Sequence, residues 1–286
     1  RKYNRIDKQG LFYIHVYLNF IQYSAENIMD ENLTPVESEM YNNEPEESGS
    51  AFSGFIEMFT SPWEVGKRSI RSVLAILAMA VLLETIAIAG ITYFYSASTG
   101  IRQENYQMQT QMIDKISKGP NFPKEKLPQM YEDIEKGLDF DPTKAIGLGL
   151  LMSVLITFVF GVLFWICHRI FTAEPINFMQ LVGLVSYGAG ISAVGNLITG
   201  LIQFFSNSLV VAPNLGFLVG IGDSGMFALL SRINIFTLWY YAAIGVAIAS
   251  AAGLTRKHGY IIGGIVYGVI FLTMFAGMKI ASMIFG

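Results

Sequence analysis

Five long apolar stretches crowd the chain from residue 72 to its C-terminus, at 72–95, 146–170, 178–205, 233–253 and 260–285. Each holds about 20 residues or more, the length an α-helix needs to cross roughly 30 Å of hydrocarbon at 1.5 Å per residue. The pattern predicts an all-α fold: a polytopic membrane bundle of about five transmembrane helices.

Composition agrees. Of 286 residues, 52% are hydrophobic and only 14% charged, with mean hydropathy +0.46. A soluble domain carries about 25% charged residues. The charges sit mostly before residue 72 and between the first two stretches. A net charge of −3 is too small to point to nucleic acid. The single cysteine, Cys167, excludes an internal disulfide and a thiolate cluster.

Three regions follow. Residues 1–53 form an N-terminal extension, with 29–53 acidic, rich in Glu, Asn and Ser, and expected to be largely disordered. The chain opens on Arg1, and composition changes abruptly at Met29, which is expected to be the natural start. The alternative is an interfacial helix over 1–28, where Leu11, Ile14, Leu18 and Ile21 recur at helical spacing. Residues 54–71 read as an interfacial amphipathic segment. Within it Ser61, Pro62 and Glu64 fit N-cap, N1 and N3 of a capping box, followed by Lys67, Arg68 and Arg71. The other reading makes this segment the first turn of span 1. Residues 72–286 form the five-span domain, with a helical extramembrane loop at 96–145. Trp165 and His168-Arg169 mark an interface at the end of span 2. The Gly-rich link between spans 3 and 4 either dips into the membrane or caps the bundle, and Asp223 caps a helix starting at Ser224 or Gly225.

Ionisable groups inside a membrane are default functional candidates. Glu84 lies near the middle of span 1 and Lys279 in span 5. A central acid costs roughly 3 kcal/mol on insertion scales, which the aliphatic residues around it offset at about 0.5 kcal/mol each. Glu84 and Lys279 form either a structural ion pair or an ion or proton site. Asn196, with Thr199 and Gln203, places polar groups on span 3. Small residues at four-residue spacing, Gly245, Ala249 and Gly253 in span 4 and Gly264 and Gly268 in span 5, fit close helix packing. The packing is either within the chain or between copies, so a homo-oligomer stays open. Neither HExxH, CxxC, clustered histidines, a P-loop nor a serine–histidine pair on neighbouring spans is present. The expectation is therefore no enzyme, no cofactor and no metal.

Three segments carry a family resemblance: FIEMFTSPWEVGKRSI before span 1, LFWICHRIFTAEPINFMQLVGLVSYGAGI across spans 2 and 3, and LLSRINIFTLWYYAAIGVAIASAAGLTRKHGYIIGGIVYGV through spans 4 and 5. The chain resembles the Yip-domain (Ypt-interacting protein) family of membrane proteins over about residues 54–286. It lacks the DLYGP-like and GYK-like motifs of eukaryotic members, and its long loop at 96–145 is similar to the prokaryotic branch. The resemblance implies five spans, a cytoplasmic N-terminus and no enzymatic activity. It also implies an accessory role beside a membrane-protein partner, an export ABC transporter among the possibilities. The reading is thus a non-enzymatic interaction or accessory subunit of the cytoplasmic membrane, in contact with lipid. The alternative is a small ion or solute transporter or channel using Glu84 and Lys279.

Overall fold

Caps and small residues decide where the helices of this chain begin, end and touch. The structure, a computed structural model, describes residues 50–68, 70, 72–118, 122–172, 176–222 and 224–285, all in one unit, Glu46–Gly286. The proposed start at Met29 and the acidic residues 29–49 lie outside the described residues, as do Arg71 and Asp223.

Ten α-helices and no strand occur among the described residues. They are α1 (Ala51–Thr60), α2 (Pro62–Lys67), α3 (Val73–Ala97), α4 (Thr99–Ile116), α5 (Leu127–Gly137), α6 (Pro142–His168), α7 (Phe178–Ser206), α8 (Ser224–Leu230), α9 (Ile235–Ala251) and α10 (Arg256–Phe285). Four of them, α3, α6, α7 and α10, are long and apolar enough to cross a membrane. The fourth apolar stretch forms α9, of 17 residues, about 25 Å long. Its caps cut it short. The Asn234 side chain accepts from Phe236 N–H at one end. At the other, Gly253 adopts φ +67, and Leu254 N–H and Gly253 N–H bond the Ala249 and Ser250 carbonyls, a Schellman stop. Gly253 is thus a terminator, exposed, and not the packing residue its spacing predicts.

Contacts at glycines set the helix directions. Gly183 meets Ile70 and Val73, Gly90 meets Leu197, and Gly200 meets Ile91, so α3 and α7 run parallel. Gly188 meets Ile244 and Gly195 meets Phe236, so α9 runs antiparallel to α7. Gly149 of α6 rests on Thr85 of α3, a Cβ there lying 3.1 Å from Cγ2 of Thr85. The buried face of α6 repeats every four residues through Ala145, Gly149, Ser153, Thr157 and Gly161.

The α9–α10 seam is a backbone-to-backbone approach. A Cβ on Gly245 would overlap the Gly259 carbonyl, and one on Gly263 would overlap that of Tyr241. Ala249 is fully buried in α9. Gly264 and Gly268 have nothing within 4 Å of a Cβ. The intramolecular seam therefore uses Gly259 and Gly263, one position off the expected face; two small residues four apart suffice, and the neighbouring pair points elsewhere.

Residues 51–67 hold two short helices, α1 and α2. They fold as a helical hairpin in the groove between α7 and α9. Gly54 lies under the Tyr187 ring, and Gly66 under the Ala247 carbonyl. Phe55 packs edge-on to Tyr187 at 5.2 Å, and the Trp239 indole donates to the Phe59 carbonyl at 3.2 Å. Met58 and Val65 are fully buried. Arg68 pairs with Glu57 and donates to Ser53 Oγ at 3.1 Å, tying the two arms. Ser61 makes no side-chain cap bond. Its N–H instead bonds the Glu57 carbonyl at 2.6 Å, closing α1, while Glu64 bonds Lys67 at 3.1 Å. The hairpin corner, rather than a capping box, uses this serine; Pro62 does occupy the first turn of α2.

At the opposite end, α4 and α5 form a second hairpin. Ile113 and Ile134 are its buried apolar residues. Tyr131 donates to Asp114 at 2.5 Å, and Arg102 donates to Asp139 at 2.8 Å and to the Leu138 carbonyl at 3.2 Å. Residues 207–234 cap the bundle beside it. A small cluster of Ile101, Leu209 and Phe227 joins the two.

His168 is fully buried and does not face the interface. Its Nε2 accepts the Ile176 N–H at 3.2 Å, which turns the chain between α6 and α7. Arg169 lies over Trp165 at 4.2 Å.

Candidate intramembrane polar site

α3 is so apolar that its one acid must find its partners on a neighbouring helix. Glu84 is roughly halfway along α3 and only half-buried. Its carboxyl hydrogen-bonds the Ser192 side chain of α7, and Ser192 Oγ accepts from the Asn196 amide at 3.4 Å. Two of the residues singled out in the sequence, Glu84 and Asn196, are thus linked through a third, Ser192. The signal for Ser192 was present: it sits one turn before Asn196 on the face that continues through Thr199 and Gln203. Tyr240 of α9 is close enough to Glu84 to feel its charge.

Lys279 is not brought there. Its side chain lies outside the described residues. The helix register alone separates it: Gly263 of α10 packs against Tyr241, and Lys279 follows about 16 residues later, roughly 24 Å along the helix axis. Glu84 lies beside Tyr240, at the level of Gly263.

Polar contacts continue up α7. The Asn234 amide donates to Thr199 Oγ1 at 3.4 Å. Gln203 is buried, accepts from the Tyr95 hydroxyl and donates to the Leu209 carbonyl at 2.7 Å. Tyr95 also borders a cavity of about 230 Å³ lined by Thr92, Ser96, Asn105, Leu138 and Asp139.

The end of α7 carries a junction that sequence reasoning missed. Asn207 adopts φ 52; Ser208 N–H bonds the Gln203 carbonyl and Asn207 N–H that of Phe204, a Schellman motif with Asn in place of Gly. The same Asn207 Oδ1 accepts from Ser98 Oγ at 2.5 Å and Gly100 N–H at 2.9 Å. Glu104 then accepts from Ser208 Oγ at 2.8 Å and Leu209 N–H at 2.5 Å. An asparagine just past a long apolar helix is the only local hint.

Among the described residues no group of three or more His, Cys, Asp or Glu could hold a metal ion.

These features define an all-helical integral membrane protein. No family model matches the chain, and no solved structure matches it. It is 21% identical over 124 residues to membrane protein YknW of Bacillus subtilis (strain 168), a stretch covering 42% of this chain and 53% of that protein. The chain thus spans about half the length of the curated relative it matches.

Proposed function

We propose that this protein is a non-enzymatic interaction or accessory subunit of the cytoplasmic membrane. The observation that carries the reading is the α4–α5 hairpin. It is charged, stands outside the apolar helices, and is fastened to the bundle by Asn207 and Glu104. A fastened element presents one fixed surface, which lowers the ordering cost of binding. The likeness to a membrane protein of Bacillus subtilis and the Yip resemblance support a membrane-protein partner, with an export ABC transporter the first to test.

Cations sit at both ends of the bundle, and the resemblance chooses between the two orientations. Lys67, Arg68, Arg169, Arg256 and Lys257 lie at the end that holds the α1–α2 hairpin, where Glu57 and Glu64 are already paired with Arg68 and Lys67. The Yip resemblance, which implies a cytoplasmic N-terminus, supports that end in the cytoplasm and the α4–α5 hairpin outside, although Arg102, Lys136, Lys144 and Arg232 at the other end weigh against it under the positive-inside rule.

The test is photocrosslinking in native membranes from Glu125 and Gln129, both exposed on the α4–α5 hairpin. The reading expects one membrane protein captured at both positions and retained at near-stoichiometric amounts in mild detergent. Purification with no retained partner overturns it.

A second reading, a small transporter, is favoured by the Glu84–Ser192–Asn196 linkage. It expects ion flux in proteoliposomes that Glu84→Gln abolishes.

A further inference from the structure

Asn196 is exposed about one turn from Ser192, which bonds the mid-span acid Glu84. Its one described bond is the 3.4 Å contact to Ser192. A carboxamide can make four hydrogen bonds, and leaving them unmade in hydrocarbon costs several kcal/mol. It does not stand alone. Ser192, Asn196, Thr199 and Gln203 recur at i, i+4, i+7 and i+11, one face of α7.

That face has a defined setting. At about 100° per residue, it falls between Gly195, which faces Phe236 of α9, and Gly200, which faces Ile91 of α3. The stripe therefore lines the groove between α3 and α9. Glu84 stands at its inner end. The Gln203–Tyr95 bond stands at its outer end, and Tyr95 borders the polar cavity beneath α4 and α5. On the other side of α7, Val194, Ile198, Leu201 and Phe205 are exposed, the composition lipid prefers.

We propose that the groove between α3, α7 and α9 is hydrated, and that it gives the Glu84 carboxyl access to protons from the end of the bundle covered by α4 and α5. Water satisfies Asn196 and Thr199, and the proton is the ligand of Glu84. Among the described residues the helices around that carboxyl offer it no charged partner. α7 has no Asp, Glu, Lys, Arg or His, and Tyr187 is its one titratable side chain; α9 offers Tyr240 and Tyr241. α3 adds Tyr93 and Tyr95, and α6 has Lys144 at its start and Cys167 and His168 at its end. The proposal stands on this placement and not on transport: a hydrated groove without ion flux leaves it intact.

The single native cysteine, Cys167, is buried, so introduced cysteines report alone. In proteoliposomes of the full chain, Asn196→Cys is expected to react with a charged methanethiosulfonate at least about tenfold faster than Val194→Cys and Ile198→Cys, the ratio given by ~1.4 kcal/mol of easier access. Equal rates at the three positions overturn the proposal. The unsubstituted protein supplies a second measurement. Modification of Glu84 by a water-soluble carbodiimide with an amine nucleophile, mapped by peptide mass spectrometry, is expected. Modification only by an apolar carbodiimide overturns it.

Discussion

Asn207 does three things with one side chain and one backbone angle. It ends α7 in the left-handed region, and its Oδ1 holds Ser98, the N-cap of α4, and the Gly100 amide. A left-handed non-glycine residue costs roughly 1–2 kcal/mol, and each lost bond about 0.5–1.5. Asn207→Ala should therefore destabilise the α4 junction by about 2–3 kcal/mol, measured by thermal unfolding and by faster amide exchange in the first turn of α4. Asn207→Gly keeps the backbone angle and should lose only the side-chain share. Two exposed groups on the same hairpin region set a pH dependence. Asp141 accepts Lys144 N–H at 3.1 Å, and this bond holds its carboxyl below the ordinary 3.8. A depressed acid contributes its stability above the unfolded value and loses it as pH falls through the folded one. The start of α6 should therefore loosen only below pH 3.8, read as amide exchange at residues 143–145 corrected for intrinsic rate. Tyr131 moves the other way: its hydrogen bond to Asp114 raises the phenol above 10.0. Its contribution is complete below that value and fades as pH rises through the raised one. The difference in tyrosinate absorbance between wild type and Tyr131→Phe should titrate above pH 10.0. Glu84 and Asn196 were legible as polar exceptions in apolar runs, and Ser192 only by its place one turn before Asn196, whereas Asn207 was not, because an asparagine is unremarkable until a neighbour's geometry gives it a task.

At the scale of elements, close approach is set by which glycine of a run faces the partner. The sequence GYIIGGIVYG offers several small-residue pairs, and a helix of 3.6 residues per turn can turn only one toward α9. Gly245→Val should cost a few kcal/mol through overlap with the α10 backbone, whereas Gly264→Val should fall within about 0.5 kcal/mol; thermal unfolding of both variants in one detergent distinguishes them. The α1–α2 hairpin is seated by glycines in the same way. Its apolar residues and trailing cations fit a surface helix, and only Gly54 and Gly66, each beneath a partner's ring or carbonyl, reveal that it packs inside the bundle. Trp239→Phe removes the bond to the Phe59 carbonyl and should speed protease cleavage within residues 59–61 while leaving the apolar helices intact. Water does not drive these helices together within lipid, so packing and hydrogen bonds carry the association.

Across the whole molecule, the apolar helices were legible from length and hydropathy because the bilayer imposes a length on each crossing; four are long enough to cross, and α9, counted among the five expected spans, is shortened by its caps. Their neighbours were not: the parallel pairing of α3 with α7 depends on glycine contacts far apart in sequence. The alternation of directions makes a topological prediction. Cysteines at Lys257 and at Glu125 should label from opposite sides of sealed vesicles, and labelling of both from one side would refute the arrangement.

The indole of Trp239 meets a carbonyl 180 positions earlier in the chain. The surfaces that receive the α1–α2 hairpin belong mainly to α7 and α9, with Arg256 of α10 over Trp63, and all of them emerge from the ribosome long after it. A segment synthesised early is thus among the last to find its seat. Until α7 and α9 are both inserted, Phe55, Met58 and Val65 lack their full seat within the protein and must be shielded by lipid or by the insertion machinery. Docking thus waits on late synthesis, and a chain truncated before residue 235 would leave that hairpin seated on α7 alone, with the surfaces of α9 missing.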